Sequence, residues 1–254
     1  MTNLWQDPAD YQRFASGIQA HNAQLLVSRA ADFGPFGEAL DAGCGTGFVM
    51  KELAKKRLAR KILGIDLSQE MLTVAQSQLE SLSGIEIELK QLLMQEAVSL
   101  GKFDLVISNA ALHWTYPDLD RSCASLAGAI RAGGIMAIGT AGRSAASDEF
   151  DEMISAAIVL AGGTLADEPF AAKRITPDAL VAMMEVQDIE TYDAFLVERG
   201  RDLSASEYAT WVNASGKPWQ TLPGGLESLV SELVKLAPIM KCRHWTTFAF
   251  GRKR

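Results

Sequence analysis

The stretch Asp41-Ala42-Gly43-Cys44-Gly45-Thr46-Gly47 sets three glycines behind a carboxylate. Glycine loses more backbone freedom on folding than any other residue, so this density points to a backbone that must come close to a ligand. A dinucleotide-binding loop has the spacing G-x-G-x-x-G and seats a pyrophosphate on the helix N-terminus behind it. Here the spacing is G-x-G-x-G, and Asp41 would repel a pyrophosphate while suiting a cationic amine. A second carboxylate, Asp66, lies about 20 residues past the glycines, where an acid at a strand end reaches both ribose hydroxyls. The two acids and the glycine spacing together fit S-adenosylmethionine, which has an amino-acid end, a ribose and no phosphates. Plainer readings stand beside these. Asp41 could cap the loop, Asp66 could form a strand-end turn, and Cys44 reads as a small packing residue rather than a nucleophile.

These residues need strands and helices to position them. Residues 10–32 space Tyr11, Phe14, Ile18, Leu25, Leu26 and Phe33 as a helix does, and Gly34-Pro35 then interrupts the chain. Strands are expected at 39–42, 61–66, 85–89, 103–109 and 135–140. Helices are expected at 48–58, at 68–82 with Ser68 as N-cap, and at 119–130. This alternation predicts βαβ units, right-handed crossovers and a parallel, doubly wound α/β sheet. After Gly142 the rhythm changes. Helices are expected at 147–161, 176–185, 204–213 and 226–237, and strands at 189–197 and 245–250. The predicted organisation is one domain over 1–254: an N-terminal helical cap (1–37), a cofactor-binding core (38–142), and helical additions with the final strands (143–254). The helices at 204–237 are expected to cover the ligand edge as a lid.

Three segments, L-D-A-G-C-G-T-G at 40–47, G-I-D-L-S at 64–68 with Met71-Leu72, and F-D-L-V-I-S-N-A-A-L-H-W at 103–114, together resemble the class I S-adenosylmethionine-dependent methyltransferases. The similarity runs over residues 38–140. It implies a Rossmann-like seven-stranded sheet whose last strand, at 245–250, is antiparallel. It also implies that Gly43, Gly45 and Gly47 shape the loop around the methionine part, that Asp41 faces its amino group, that Asp66 binds the ribose and that Leu67 packs on the adenine. Asn109 and Ala110 would flank the methionine end and the sulfonium. Many relatives hold the adenine amino group with an Asp about 12 residues before the F-D-L run. Gln91 stands there instead and would accept the same hydrogen bond.

Methyl transfer from a sulfonium asks mainly for alignment. A carboxylate acceptor needs no base at pH 7, whereas a phenol, amine or carbon acceptor often does. His113 follows the fourth strand, and is read as a base or as pocket wall; His21 and His244 are farther candidates. The segment W-Q-D-P-A-D-Y-Q-R-F at 5–14, with A-L-H-W, is similar to the trans-aconitate methyltransferase branch and more loosely to the malonyl-carrier-protein methyltransferases. That resemblance implies a carboxylate acceptor, small or carrier-bound, held by cations. Arg143 is the first choice, with Arg13 and Lys217 behind it. Trp5, Tyr11, Trp211 and Trp219 would close over the site, or Trp211 and Trp219 would anchor the C-terminal helices.

The composition narrows the classes. The chain has 254 residues, a formal net charge of -7 and 48% hydrophobic residues, with a pI of about 5.1. An acidic chain lacks the cationic footprint of a nucleic-acid binder, and Lys241, Arg243, Arg252, Lys253 and Arg254 read as a solvated tail. Cys44, Cys123 and Cys242 form no C-x-x-C pair, which suits a reducing compartment rather than a disulfide framework or zinc site. No signal-type N-terminus or membrane-length apolar run occurs, so a cytoplasmic protein without a membrane partner is expected. The oligomeric state is left open. Two other classes compete: a nicotinamide-dependent oxidoreductase, and a non-catalytic cofactor-binding protein that presents its C-terminal helices to a partner.

Overall fold

The computed structural model of the chain describes residues 8–168, 170–215, 218–237 and 240–254. Trp5 and Lys217 lie outside the described residues, as do the side chains of Tyr11, Arg13, Phe14, Lys241 and Cys242. The central sheet is built from β1 (Phe36–Ala42), β2 (Ala59–Asp66), β3 (Glu86–Gln91), β4 (Phe103–Asn109), β5 (Ile130–Ala141), β7 (Ile189–Leu203) and β9 (Met240–Lys253). Its order is β3-β2-β1-β4-β5-β9-β7. The first five strands pair in parallel, and β9 inserts antiparallel between β5 and β7. The expected seven-stranded sheet with an antiparallel last strand is the observed one. Strand order reverses at β1 and β4, so the crevice past their carboxyl ends is the switch point where such sheets bind ligands.

Helices cover both faces because the central strands are apolar on both. In β4, Leu105 and Ile107 face one layer and Val106 the other, and all three are fully buried. Burying each such side chain contributes about 1.5–3 kcal/mol. The first layer is packed by α1 (Pro8–Ala30), α2 (Phe48–Lys55) and α3 (Gln69–Leu79). The second is packed by α4 (Leu119–Gly128) and α6 (Pro177–Glu185). The predicted cap is in place, with Ser68 Oγ accepting from the Met71 N–H at 3.2 Å; at the start of α6, Thr176 Oγ1 likewise accepts from the Ala179 N–H at 3.2 Å, with Pro177 at the first helical position.

A third apolar cluster lies mostly outside the sheet and touches it through Leu203 at the end of β7. It joins α5 (Ala145–Leu160), α7 (Ala205–Ser215) and α8 (Gly225–Leu236) through Ile154, Ile158, Tyr208, Leu229 and Leu233. Trp219, on a two-stranded sheet of β6 (Thr164–Leu165) and β8 (Trp219–Thr221), is buried in it. These elements form the lid over the switch point.

One expectation is corrected here. The C-terminal basic residues are not a tail, because β9 runs through them. Arg252 donates to the Gly133 carbonyl, Lys253 to the Gln187 carbonyl, and Arg254 pairs with Glu190. Among the described residues no helix is long and apolar enough to cross a membrane.

Candidate active site at the carboxyl edge of the sheet

A cavity of about 1100 Å³ opens at the switch point and runs under the lid. Small-molecule sites span roughly 300–1,000 Å³, so this one lies just above that range. Its near end is the glycine loop between β1 and α2. Gly43, Gly45 and Gly47 all have positive φ, at 74°, 53° and 88°, which side-chain-bearing residues rarely adopt. A Cβ on Gly43 would lie 2.2 Å from the Ala111 Cβ, whereas one on Gly45 would meet nothing within 4 Å. Gly43 is therefore needed for packing, and Gly45 leaves bare backbone facing open space.

Asp41 ends β1 beneath this loop. It is 1% exposed, and neither carboxylate oxygen has a hydrogen-bond partner. Burial, and then the nearby charge of Asp66, push its pKa up to about 8, against the opposing pull of the Met50 backbone N–H, which approaches it without meeting hydrogen-bond geometry. Thr46 Oγ1, Asn22 Oδ1 and Asn109 Oδ1 are likewise buried and unpartnered, and all belong to cavity-lining residues. A well-packed fold leaves few such groups, and this concentration at one wall marks where a polar ligand belongs.

Asp66, at the end of β2, braces the loop. Its Oδ2 accepts from the Gly45 N–H and its Oδ1 from the Ser68 N–H, each at 2.9 Å. Burial raises its pKa and these backbone hydrogen bonds oppose the rise. Leu67, half exposed at the cavity wall, follows it. Gln91, on the cavity wall, donates through Nε2 to the Leu67 carbonyl at 2.9 Å. Asn109, at the end of β4, donates to the Gln19 carbonyl of α1 at 3.1 Å. Ala110 takes a left-handed φ of 55° and donates to the Gly139 carbonyl, turning the chain sharply at the cavity. Cys44 is buried, with its thiol pKa pushed well up by burial, as a packing residue's would be.

His113 is 5% exposed, on a short 3-10 helix after β4. Its Nδ1 accepts from the Ala141 N–H at 3.3 Å and lies 3.3 Å from Thr140 Oγ1. Burial, with the charges of Arg174 and Lys173, pushes its pKa down to about 3. The ring is therefore neutral at pH 7, and the backbone donor at Nδ1 leaves its proton on Nε2.

The structure places Arg143 differently from the sequence expectation. Its side chain is 51% exposed, pairs with Asp148 at 3.1 Å and is not on the cavity wall. Backbone pairing with the Ile175 carbonyl starts the chain away from the sheet edge, and Asp148 in the first turn of α5 captures the guanidinium. The cations at the wall are instead Lys173, Arg174 and Arg243. Sequence reasoning missed the first two, which sit in a short 3-10 turn and loop before α6 without periodicity. It also missed Gln19 and Asn22. Their signal was legible, since both are polar residues on the face of α1 that carries Ile18 and Leu26. Trp211 lines the cavity, while Trp219 is a lid anchor.

Comparisons with known proteins agree with this architecture. The family model described as "Methyltransferase domain" matches residues 39–134. The chain is 34% identical to the trans-aconitate 2-methyltransferase of Deinococcus radiodurans over 52% of this chain and 48% of that one. It is 33% identical to the malonyl-[acyl-carrier protein] O-methyltransferase of Magnetococcus marinus over 49% and 46%. The chain thus spans about half the length of these curated relatives. Magnesium protoporphyrin IX methyltransferase from Synechocystis, solved with bound SAH, has the same fold, with a TM-score of 0.60 at 14% identity, covering 94% of this chain and 84% of that one. The family resemblance read from the sequence is borne out over the sheet's first five strands.

Proposed function

We propose that the chain is an S-adenosylmethionine-dependent methyltransferase that esterifies a carboxylate on a small-molecule or carrier-bound acceptor. Asp41 carries this reading. A buried carboxylate with no partner is costly, and here it stands beside bare glycine backbone at a cavity wall. The amino group of a methionine moiety satisfies it, whereas a pyrophosphate would repel it. The neighbouring groups fit the rest of the molecule. Asn22 Oδ1 and Asn109 Oδ1 offer further acceptors at that end. Asp66 keeps lone pairs for ribose hydroxyls beside its two backbone hydrogen bonds, Leu67 offers an apolar contact to adenine, and the Gln91 amide oxygen accepts from its amino group.

When bound, S-adenosylmethionine supplies a methyl group on a positively charged sulfur, which an attacking oxygen takes as the C–S electron pair returns to sulfur. The chain's task is then to bind, orient and exclude water. His113 favours the carboxylate assignment. Its Nδ1 is occupied and its Nε2 holds the proton, so it donates a hydrogen bond to an acceptor rather than removing a proton from one. An acceptor already ionised at pH 7 needs no more. The lid from α5 and α7 keeps water from the transfer.

Incubation with methyl-labelled S-adenosylmethionine and a panel of carboxylic acids tests this. The expected product is a methyl ester whose label is released by mild base. Label that resists base, on nitrogen or carbon, would contradict the carboxylate assignment.

A further inference from the structure

The far end of the cavity has a composition of its own. His113, Trp114 and Phe170 pack ring against ring, with centroids 4.8, 5.7 and 5.7 Å apart. Tyr208, Trp211 and Trp245 line the same cavity. Among the described residues three cations stand by these rings, and two are already committed. Arg174, with its side chain 7% exposed, grips Asp151 through Nε at 2.6 Å and Nη2 at 3.1 Å. Arg243 pairs with Glu198. Lys173 has no carboxylate partner among the described residues, and its Nζ lies 5.3 Å from the Trp114 ring centroid. Glu168, also on the wall, is exposed, where water screens it.

Two acceptor classes fit this end poorly. A cationic acceptor would seek a bare ring face, but three of these rings already carry a cation. Lys173 stands over Trp114, and Arg174 over both Phe170, at 5.0 Å, and Trp245, at 5.4 Å. A tricarboxylate would bring three negative charges to one uncommitted cation, and the charges left over would be desolvated against aromatic walls at high cost. We propose that the acceptor is an apolar, planar-bodied acid with a single carboxylate, its body between the aromatic walls and its carboxylate on Lys173. This inference rests on the methyltransferase reading and narrows its acceptor.

The test is calorimetric, on protein saturated with S-adenosylhomocysteine. The probes are trans-cinnamate, its neutral analogue cinnamamide, and the tricarboxylate tricarballylate. Cinnamate is expected to bind at least tenfold tighter than either of the others. Lys173→Met is expected to weaken cinnamate about tenfold while leaving cinnamamide and S-adenosylhomocysteine unchanged, and Lys173→Arg to retain cinnamate binding. Tricarballylate binding as tightly as cinnamate, unchanged cinnamate binding by Lys173→Met, or no binding of any of the three would overturn the proposal. If S-adenosylhomocysteine itself does not bind, the methyltransferase reading fails first and the acceptor assignment falls with it.

Discussion

Asp41 sets the chemistry of the near site, and its burial makes that chemistry depend on pH. Its folded pKa of about 8 lies above its unfolded value of roughly 4. The folded state therefore holds an extra proton between these values, and stability falls as pH rises through that window. Asp41→Asn removes the penalty. Its melting temperature without ligand should exceed the native protein's by several degrees at pH 8 and match it near pH 4, while affinity for S-adenosylhomocysteine drops at least tenfold. A variant that melts lower at pH 8 and binds as tightly would contradict the assignment. A ligand ammonium also demands the ionised carboxylate, so binding at pH 7 should release a proton. Titrations in two buffers of different ionisation enthalpy measure this, and Asp41→Asn should release less. Asp41 and Asp66 were legible in the sequence because each is tied to a strand end and a glycine loop. Lys173 and Arg174 were not, because only the folded chain brings the turn before α6 back to β4. Arg143 was misplaced because sequence shows that it follows β5 but not that Asp148 turns it outward.

Element by element, the middles of the strands were read closely and their ends were not. β4 spans Phe103–Asn109 as expected, since its run is buried on both faces. β9 extends from Met240 to Lys253, well beyond the six residues read as strand. Its ends carry cations, of which Arg243 pairs with Glu198 of β7 and Lys253 with the Gln187 carbonyl after α6, and such residues carry little strand signal. The lid was foreseen as helices, but its cohesion depends on Trp219, buried in a cluster built mainly from α5, α7 and α8. Truncating a buried Trp typically costs about 3–5 kcal/mol. Trp219→Ala should accelerate amide exchange in α7 and α8 while leaving β1, β4 and β5 protected. Uniform acceleration across the sheet would show that lid and sheet unfold together. Gly45→Ala acts on the loop instead. It introduces strain of about 1 kcal/mol at a positive φ and places a methyl in the cavity, so cofactor affinity should fall more than stability does. Native affinity in that variant would show that no ligand approaches this backbone.

At the scale of the whole molecule, a sheet with both faces buried fixes the switch point, and the lid covers a cavity of about 1100 Å³. The near end presents unpartnered acceptors and a buried acid, and the far end presents aromatic walls with, among the described residues, one ammonium that no carboxylate pairs. This division gives each ligand its own recognition chemistry and brings the two together beside Asn109, Ala110 and His113. The central claim is that the near end takes a phosphate-free nucleoside with a cationic amino-acid arm. It is tested most directly by calorimetric titration of the ligand-free protein with S-adenosylhomocysteine, and with NAD and NADP in parallel. The account predicts one site of micromolar affinity for S-adenosylhomocysteine and no heat of binding from either dinucleotide. Binding of a dinucleotide, with silence from S-adenosylhomocysteine, would contradict it.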